Sequence, residues 1–281
     1  MGDRETSRVA PQPIRGSRVV VTGAAGGIGR ALAERFVTEG ARVVVADRAQ
    51  GPLTATADEL GVVAVSGDLA TEVGVAGLVE AAVAELGGID VWCGNAGIGL
   101  GQGIDAPDRL WQLAWDVNVQ SHVRAARHLL PLWLEQGHGR LVVTASAAGL
   151  LTMLGDAPYS VTKHAAVSLV EWLAATYGDN GIVAQAVCPE GVRTALYEAA
   201  GPLQPLLDLD GTLEPADVAE AVVATWAEAP LLVLPHPEVA RHYAHKAAAP
   251  DVWIAQMRHL QRRIPTPAYV GSPVVVGEVE R

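Results

Sequence analysis

A tyrosine and a lysine stand four residues apart at Tyr159 and Lys163, in the stretch YSVTK. In a helix that spacing puts both side chains on one face, one turn apart. A phenol with a pKa of about 10 is a poor base at neutral pH. Lowering that pKa by ~2–3 units takes about 3–4 kcal/mol of differential stabilisation, and a nearby cation favours the phenolate. A desolvated ammonium within a few ångströms supplies energy of that order. The pair is suited to move a proton to or from an alcohol oxygen as hydride leaves or reaches the carbinol carbon. Ser146 lies 13 residues before Tyr159, at the end of an apolar run. Its hydroxyl can hydrogen-bond the same oxygen and stabilise developing charge.

A second set of residues suits a dinucleotide. VTGAAGGIGRAL carries Gly23, Gly27 and Gly29, spaced G-x-x-x-G-x-G, between an apolar run and a helical pattern. Glycines there let the backbone turn sharply and approach a pyrophosphate, which the helix N-terminus attracts. Asp47 ends the next apolar run, 18 residues beyond Gly29. A carboxylate at that distance accepts hydrogen bonds from a ribose diol and repels a 2′-phosphate. The loop itself carries no basic residue, so NAD is expected over NADP, with the adjacent Arg48 softening the preference.

The elements that must position these groups are legible in the pattern. Seven short β-branched runs, RVVVTG, ARVVVAD, VVAVSGD, IDVWCGNAG, RLVVTAS, IVAQAVCP and LLVLP, alternate with helical stretches. Strands that are apolar throughout and joined by helices imply a parallel sheet covered on both faces. The expected fold is α/β, Rossmann-like and doubly wound, with a seven-stranded parallel sheet. In such a sheet the strand C-termini and the following helix N-termini meet at one edge, where ligands bind. Pro158 suits the first turn of the helix that carries Tyr159. Residues 1–15 are expected to form a flexible arm, and residues 16–250 a single catalytic domain with a lid at about 195–214. Residues 251–281 are expected to add a C-terminal helix and tail.

Composition removes several alternatives. The 281 residues carry 20 basic and 31 acidic side chains, a formal charge of −11, which is wrong for a nucleic-acid surface. No uncharged apolar run reaches the ~18 residues that span a bilayer. The N-terminus has no apolar signal segment, and its loose match to a myristoylation pattern is read as coincidence. Cys93 and Cys188 fall on strands expected to lie two apart, too far for a disulfide, so both are read as buried thiols of a cytoplasmic protein. No metal centre is expected: His236, His242 and His245 lack acids of suitable spacing and read as a solvated helix face.

In motif order the chain resembles the short-chain dehydrogenases/reductases, in their compact one-domain branch, from about Gly16 to Pro235. TGAAGGIG resembles the cofactor loop of that family and adds Ile28 to the cofactor residues. GDL resembles its adenine contact, at Asp68 and Leu69. GNAG supplies Asn95, Ala96 and Gly97, which the resemblance assigns to steadying the sheet and lining the ribose. NVQS supplies Asn118, TAS supplies Ser146, and YSVTK supplies Tyr159 and Lys163. The resemblance implies Tyr159 as acid/base, Ser146 as the substrate-polarising group, Lys163 as modulator of the phenol and ribose ligand, and Asn118 in a water relay. It also implies Pro189, Val192 and Thr194 as nicotinamide contacts. One departure stands out: CPEGVRT has Glu190 where the family usually has glycine, with Gly191 next. Glu190 is expected to face solvent, the alternative being a polar group in the substrate mouth.

The segments that cap such a site, GIGLGQGI, AAGLLTMLGD and LYEAAGPLQPLLDLDG, are largely apolar, with Arg193 the one basic residue near them. The expected activity is NAD-dependent interconversion of an uncharged, hydrophobic secondary alcohol and its ketone. An NADPH-dependent biosynthetic ketoreductase is the alternative within enzymes, and a non-catalytic NAD(H)-binding regulator the alternative outside them. Trp111, Trp115, Trp133 and Trp172 lie on helical patterns and are expected at a subunit interface. The resemblance implies a homodimer or homotetramer.

Overall fold

Successive side chains of a strand point to opposite faces, and here both sets are apolar. In a computed structural model of the chain, which describes residues 12–263, β1 (Arg18–Thr22) sends Val19 and Val21 to one face and Val20 to the other. The same alternation runs through β2 (Arg42–Asp47), where Val43 and Val45 oppose Val44 and Ala46. Two buried layers result, one on each side of a single sheet. The remaining strands are β3 (Val63–Ser66), β4 (Val91–Gly94), β5 (Gly139–Thr144), β6 (Ile182–Val187) and β7 (Leu232–Val233). All neighbours pair in parallel, in the order β3-β2-β1-β4-β5-β6-β7. The expected doubly wound, seven-stranded sheet is the observed one.

The helices are α1 (Gly27–Thr38), α2 (Gln50–Leu60), α3 (Glu72–Leu86), α4 (Asp108–Trp115), α5 (Ser121–Gln136), α6 (Ala148–Leu151) and α7 (Ala157–Tyr177). They continue as α8 (Ala195–Ala199), α9 (Gln204–Leu207), α10 (Pro215–Ala224), α11 (Glu238–Ala248) and α12 (Pro250–Gln261). A π-helical turn, Asp116–Gln120, joins α4 to α5. Leu32, Phe36, Leu53 and Val218 bring α1, α2 and α10 onto one layer. Leu78, Leu129, Trp133 and Val170 bring α3, α5 and α7 onto the other. Chain direction across the sheet reverses between β1 and β4, which opens a crevice at their C-terminal ends.

Two expectations need correction. Trp133 is 1% exposed and its Nε1–H donates to the Ile89 carbonyl at 2.9 Å, so it is core and not interface. Trp172, at 58% exposed, and Trp115 do face outward. The sequence shows apolar residues on both sides of α5 and so does not say which side the sheet takes. The arm expected over 1–15 is held to the domain at its described end, residues 12–15. Ile14 is buried in the α1 layer, and the Gln12 carbonyl accepts the Trp226 Nε1–H at 2.7 Å. The C-terminal tail beyond 263 lies outside the described residues. Among the described residues no helix is long and apolar enough to cross a membrane.

Candidate active site

The crevice begins with a cradle that has no room for side chains. A Cβ on Gly23, where φ is +64°, would stand 2.9 Å from the Ala96 backbone. One on Gly29 would stand 2.2 Å from the Gly23 carbonyl oxygen. Gly27 takes φ +52° and faces the Thr194 methyl across the crevice, 3.1 Å from its own would-be Cβ. This loop is stapled to β4. Thr22 Oγ1 accepts the Asn95 N–H at 2.9 Å and the Ala96 N–H at 3.1 Å. Asn95 Nδ2 donates back to the Gly23 carbonyl at 3.3 Å. Asp47 ends β2 beside the loop, accepting the Ala25 N–H at 3.2 Å and the Ala49 N–H at 3.0 Å. Arg48 is exposed next to it. Asp68 is exposed too; its Oδ1 accepts the Ala70 N–H, while Leu69 is buried beneath. The backbone amides and the Asp47 carboxylate fit a dinucleotide: glycines without room for a Cβ at a helix N-terminus, and a ribose acceptor one strand away.

The second half of the crevice holds the proton-active groups. Ser146 follows β5, and its Oγ accepts the Ala148 N–H at 3.0 Å. Tyr159 is in the first turn of α7, where Asp156 caps the helix and Pro158 occupies an early position. The Ser146 hydroxyl is near enough to the Tyr159 phenol to favour its charged form, so the two residues do converge. Lys163 is one turn on, 3% exposed, with Nζ 5.4 Å from the Tyr159 ring centroid and donating to the Thr144 carbonyl at 2.9 Å. Asn118 sits in the π-helical turn, fully buried. It donates to the Ile98 carbonyl at 2.9 Å and to Thr162 Oγ1 at 3.0 Å, and accepts the Ile98 N–H at 2.8 Å. Gly97 lies between Lys163 Nζ and Asn118 Oδ1, which stand 3.1 and 3.3 Å from its would-be Cβ.

The electrostatics correct one expectation. Burial pushes the Tyr159 phenol up to about 12; the Ser146 hydrogen bond works against this, and Asp156 and Cys188 add to it. Burial also pulls Lys163 down to about 8. The ammonium stands over the ring and is bound to the Thr144 carbonyl, and burial is the larger effect on the phenol. Cys93 and Cys188 are free, buried thiols, pushed up to about 12 by burial.

Beyond β6, Thr194 caps α8, its Oγ1 accepting the Tyr197 N–H at 3.3 Å, and a bridge between Val192 and Leu213 closes the lid's base. The Pro189 carbonyl accepts the Ala147 N–H at 2.8 Å. Gly191 explains the shifted glycine: its would-be Cβ stands 2.4 Å from the Leu207 carbonyl oxygen of the lid. Glu190 is not directed to open solvent. It is half-buried, its N–H donates to His236 Nδ1 at 3.1 Å, and its carboxylate is 4.0 Å from His242 Nδ1. Asp210 comes within 3.5 Å of the same nitrogen. Burial, then Asp210 and Glu238, push Glu190 up to about 7. The histidines are therefore not a plain solvated face: His236 is 3% exposed, and His242 has two acidic neighbours. Sequence spacing missed those acids because they come from distant segments.

A groove of about 510 Å³ adjoins the site, bordered by Gly103, Ile104, Met153, Leu154 and Asp156. Neither Ser146 nor Tyr159 lines it, so it flanks the catalytic cleft and does not form it.

The chain is similar to known proteins. A family model described as short chain dehydrogenase matches residues 17–203. Over 223 residues the chain is 35% identical to a 1-deoxy-11-beta-hydroxypentalenate dehydrogenase of Streptomyces avermitilis, covering 75% of this chain and 80% of that one. It is 33% identical over 191 residues to 3beta-hydroxysteroid dehydrogenase 2 of Eggerthella lenta, covering 64% and 73% respectively. Among solved structures, a short chain dehydrogenase/reductase from Burkholderia phymatum in complex with NAD matches with a TM-score of 0.78 at 28% identity. That match covers 91% of this chain and 99% of the other.

Proposed function

The chain belongs to the short-chain dehydrogenase/reductase family, and from that membership we propose that it is an NAD-dependent dehydrogenase of an uncharged, hydrophobic secondary alcohol. The observation that carries this reading is the pairing of Ser146 and Tyr159 beside the glycine cradle, with Lys163 against the ring. When bound, the nicotinamide supplies the hydride acceptor or donor. The chain's own residues do the rest. Tyr159 Oη takes the carbinol proton, or returns it in the ketone direction. Ser146 Oγ holds the substrate oxygen and stabilises its developing charge. Burial makes the phenol a poor base, and the chain's own groups that favour its phenolate are the Ser146 hydroxyl and the Lys163 ammonium beside the ring; an oxidised nicotinamide would add positive charge when bound.

Gly23, Gly27, Ile28 and Gly29 would hold the pyrophosphate, and Asp47 and Arg48 the adenine ribose. Asp68 and Leu69 would flank the adenine. Asn95, Ala96, Gly97 and Lys163 would line the other ribose, and Pro189, Val192 and Thr194 the carboxamide. Asn118 is read as a support of the Lys163 proton path. Its side chain is already satisfied by Ile98 and Thr162, so any water in that path would be held by backbone groups beside it.

An uncharged substrate is supported by Arg193, whose guanidinium is paired to Glu214 at 3.0 Å. The names of two relatives, a hydroxypentalenate and a hydroxysteroid dehydrogenase, support a hydroxyl on an apolar skeleton. Exposed Val161 and Trp172 lie 11 residues apart on α7, about three turns, and support pairing of copies through that face. Light scattering tests for the dimer or tetramer.

The deciding experiment is an NADH-fluorescence screen of hydrophobic secondary alcohols, repeated with Tyr159→Phe. Turnover is expected to fall at least ~100-fold in the variant while NADH binding persists. A variant that turns over at the wild-type rate refutes the assignment.

A further inference from the structure

Asp156 takes no part in the chemistry above, yet it is 3% exposed and fully engaged. Its Oδ1 accepts the Tyr159 N–H at 3.0 Å. Its Oδ2 accepts the Leu100 N–H at 2.6 Å and the Gly101 N–H at 2.7 Å. The adjoining Ala157 N–H donates to the Gln102 carbonyl at 2.8 Å. One side chain thus ties the first turn of α7 to the segment leaving β4. That segment is pinned at its other end, where Asn118 bonds both the N–H and the carbonyl of Ile98.

Gly99 lies between the two pins. A Cβ there would stand 3.5 Å from Asp156 Oδ2, 3.7 Å from Tyr159 Cδ2 and 3.1 Å from Leu196 Cδ1 of the lid. The pinned segment therefore runs directly past the Tyr159 ring and under the lid. We propose that Asp156 is a positioning residue for the reaction: it fixes the Ile98–Gln102 wall and the Tyr159 backbone to each other, and so sets where a substrate oxygen can sit. The proposal rests on Tyr159 being the acid/base.

The chemistry calls for a carboxylate. Every group facing its two oxygens is an N–H, and an ionised carboxylate accepts without presenting a donor. An asparagine would turn its NH2 against one of those N–H groups. A serine could cap the helix but could not reach Leu100 and Gly101. The charge is also felt by the phenol, which it pushes upward behind the larger effect of burial. The other groups facing the phenol are Ser146 after β5, Cys188 after β6, and Lys163 on α7 itself.

Asp156→Ser in the full-length protein separates positioning from capping. Hydrogen exchange at the Leu100 and Gly101 amides should quicken at least ~10-fold while the β5 amides keep their rates. With an alcohol that the wild type oxidises, kcat/KM should fall on the order of 100-fold, with NADH affinity unchanged and partial rescue by Asp156→Glu. Asp156→Asn should move the acid limb of the oxidation profile to lower pH, because a negative charge has left the phenol. Unchanged amide exchange, or full turnover with serine, marks an ordinary helix cap and overturns the proposal. If the serine variant does not fold, the asparagine variant decides: an unmoved acid limb with unmoved amides overturns the proposal. If the wild type oxidises no alcohol, the functional reading fails, and the amide exchange still decides for Asp156.

Discussion

The Arg18–Asp90 pair at one end of the sheet and the Tyr159–Lys163 pair at the other treat charge in opposite ways. At the N-terminal end, Asp90 opens β4 against Arg18 of β1: the guanidinium reaches both carboxylate oxygens, at 2.5 and 3.0 Å, and the Arg18 N–H adds a third bond at 2.8 Å. Burial disfavours the Asp90 charge, but those bonds outweigh it and hold the carboxyl down at about 2. Arg140, buried at the same end, is pulled down to about 10 by burial, although it lies 3.7 Å over the Trp226 ring and donates to Gln185 and the Trp226 carbonyl. At the C-terminal end, burial shifts Lys163, Tyr159 and Glu190 each toward the neutral form. One end spends its ionisable groups on cohesion. The other holds them short of full compensation, the condition under which a proton can move near neutral pH.

The largest expected contrast comes from Lys163→Met. Turnover should fall ~100- to 10,000-fold, because the ammonium beside the phenol is lost. Thermal stability at pH 7 should nevertheless rise, since an uncompensated buried cation has gone. The sign follows from a folded-state pKa below the unfolded value. The penalty is full below about 8 and fades as pH rises to 10.5, so the stability gain should fade over the same range. A variant less stable at every pH would break the contrast. Asp90→Asn should do the reverse, costing about 2–3 kcal/mol in denaturant unfolding with turnover intact, less than a fully buried pair because Arg18 is partly exposed. Asp90 has a depressed folded pKa, so its contribution is present above 3.8 and lost as pH falls to about 2. The variant should lose that part of the acid sensitivity.

Asp47→Ala sharpens the comparison at a charged group that stays half-exposed at the C-terminal end. NAD affinity should weaken about tenfold, about 1.4 kcal/mol, with discrimination against NADPH relaxed. Unchanged preference in paired titrations refutes the ribose assignment. The smallest effect is expected from Glu190→Gln. A carboxyl raised from 4.5 to about 7 in the folded state costs stability progressively as pH rises through that window. The amide should flatten the dependence of Tm on pH between those values and leave the Asp90 region untouched.

The elements and the Ser146–Tyr159–Lys163 group were legible because each depends on local pattern: β-branched runs, helical spacing, and a strand end meeting a helix start. The lysine's effect on the phenol was not legible, since it turns on where Nζ points and how dry the pocket is. Asp156 was not legible as a site residue, and by position alone it is a helix cap. Its distinguishing partners, Leu100 and Gly101, lie 56 and 55 residues away. The same holds for Glu190, whose neighbours Asp210 and His242 are brought in by the lid and by α11.

Thr194 has a consequence for kinetics. Its methyl faces Gly27 across the crevice, and its hydroxyl starts the first helix of the lid. Whatever settles beside the glycines therefore meets the cap of α8. If that is the proposed nucleotide, product-inhibition patterns are expected to carry the imprint of a compulsory order, nucleotide in first and out last.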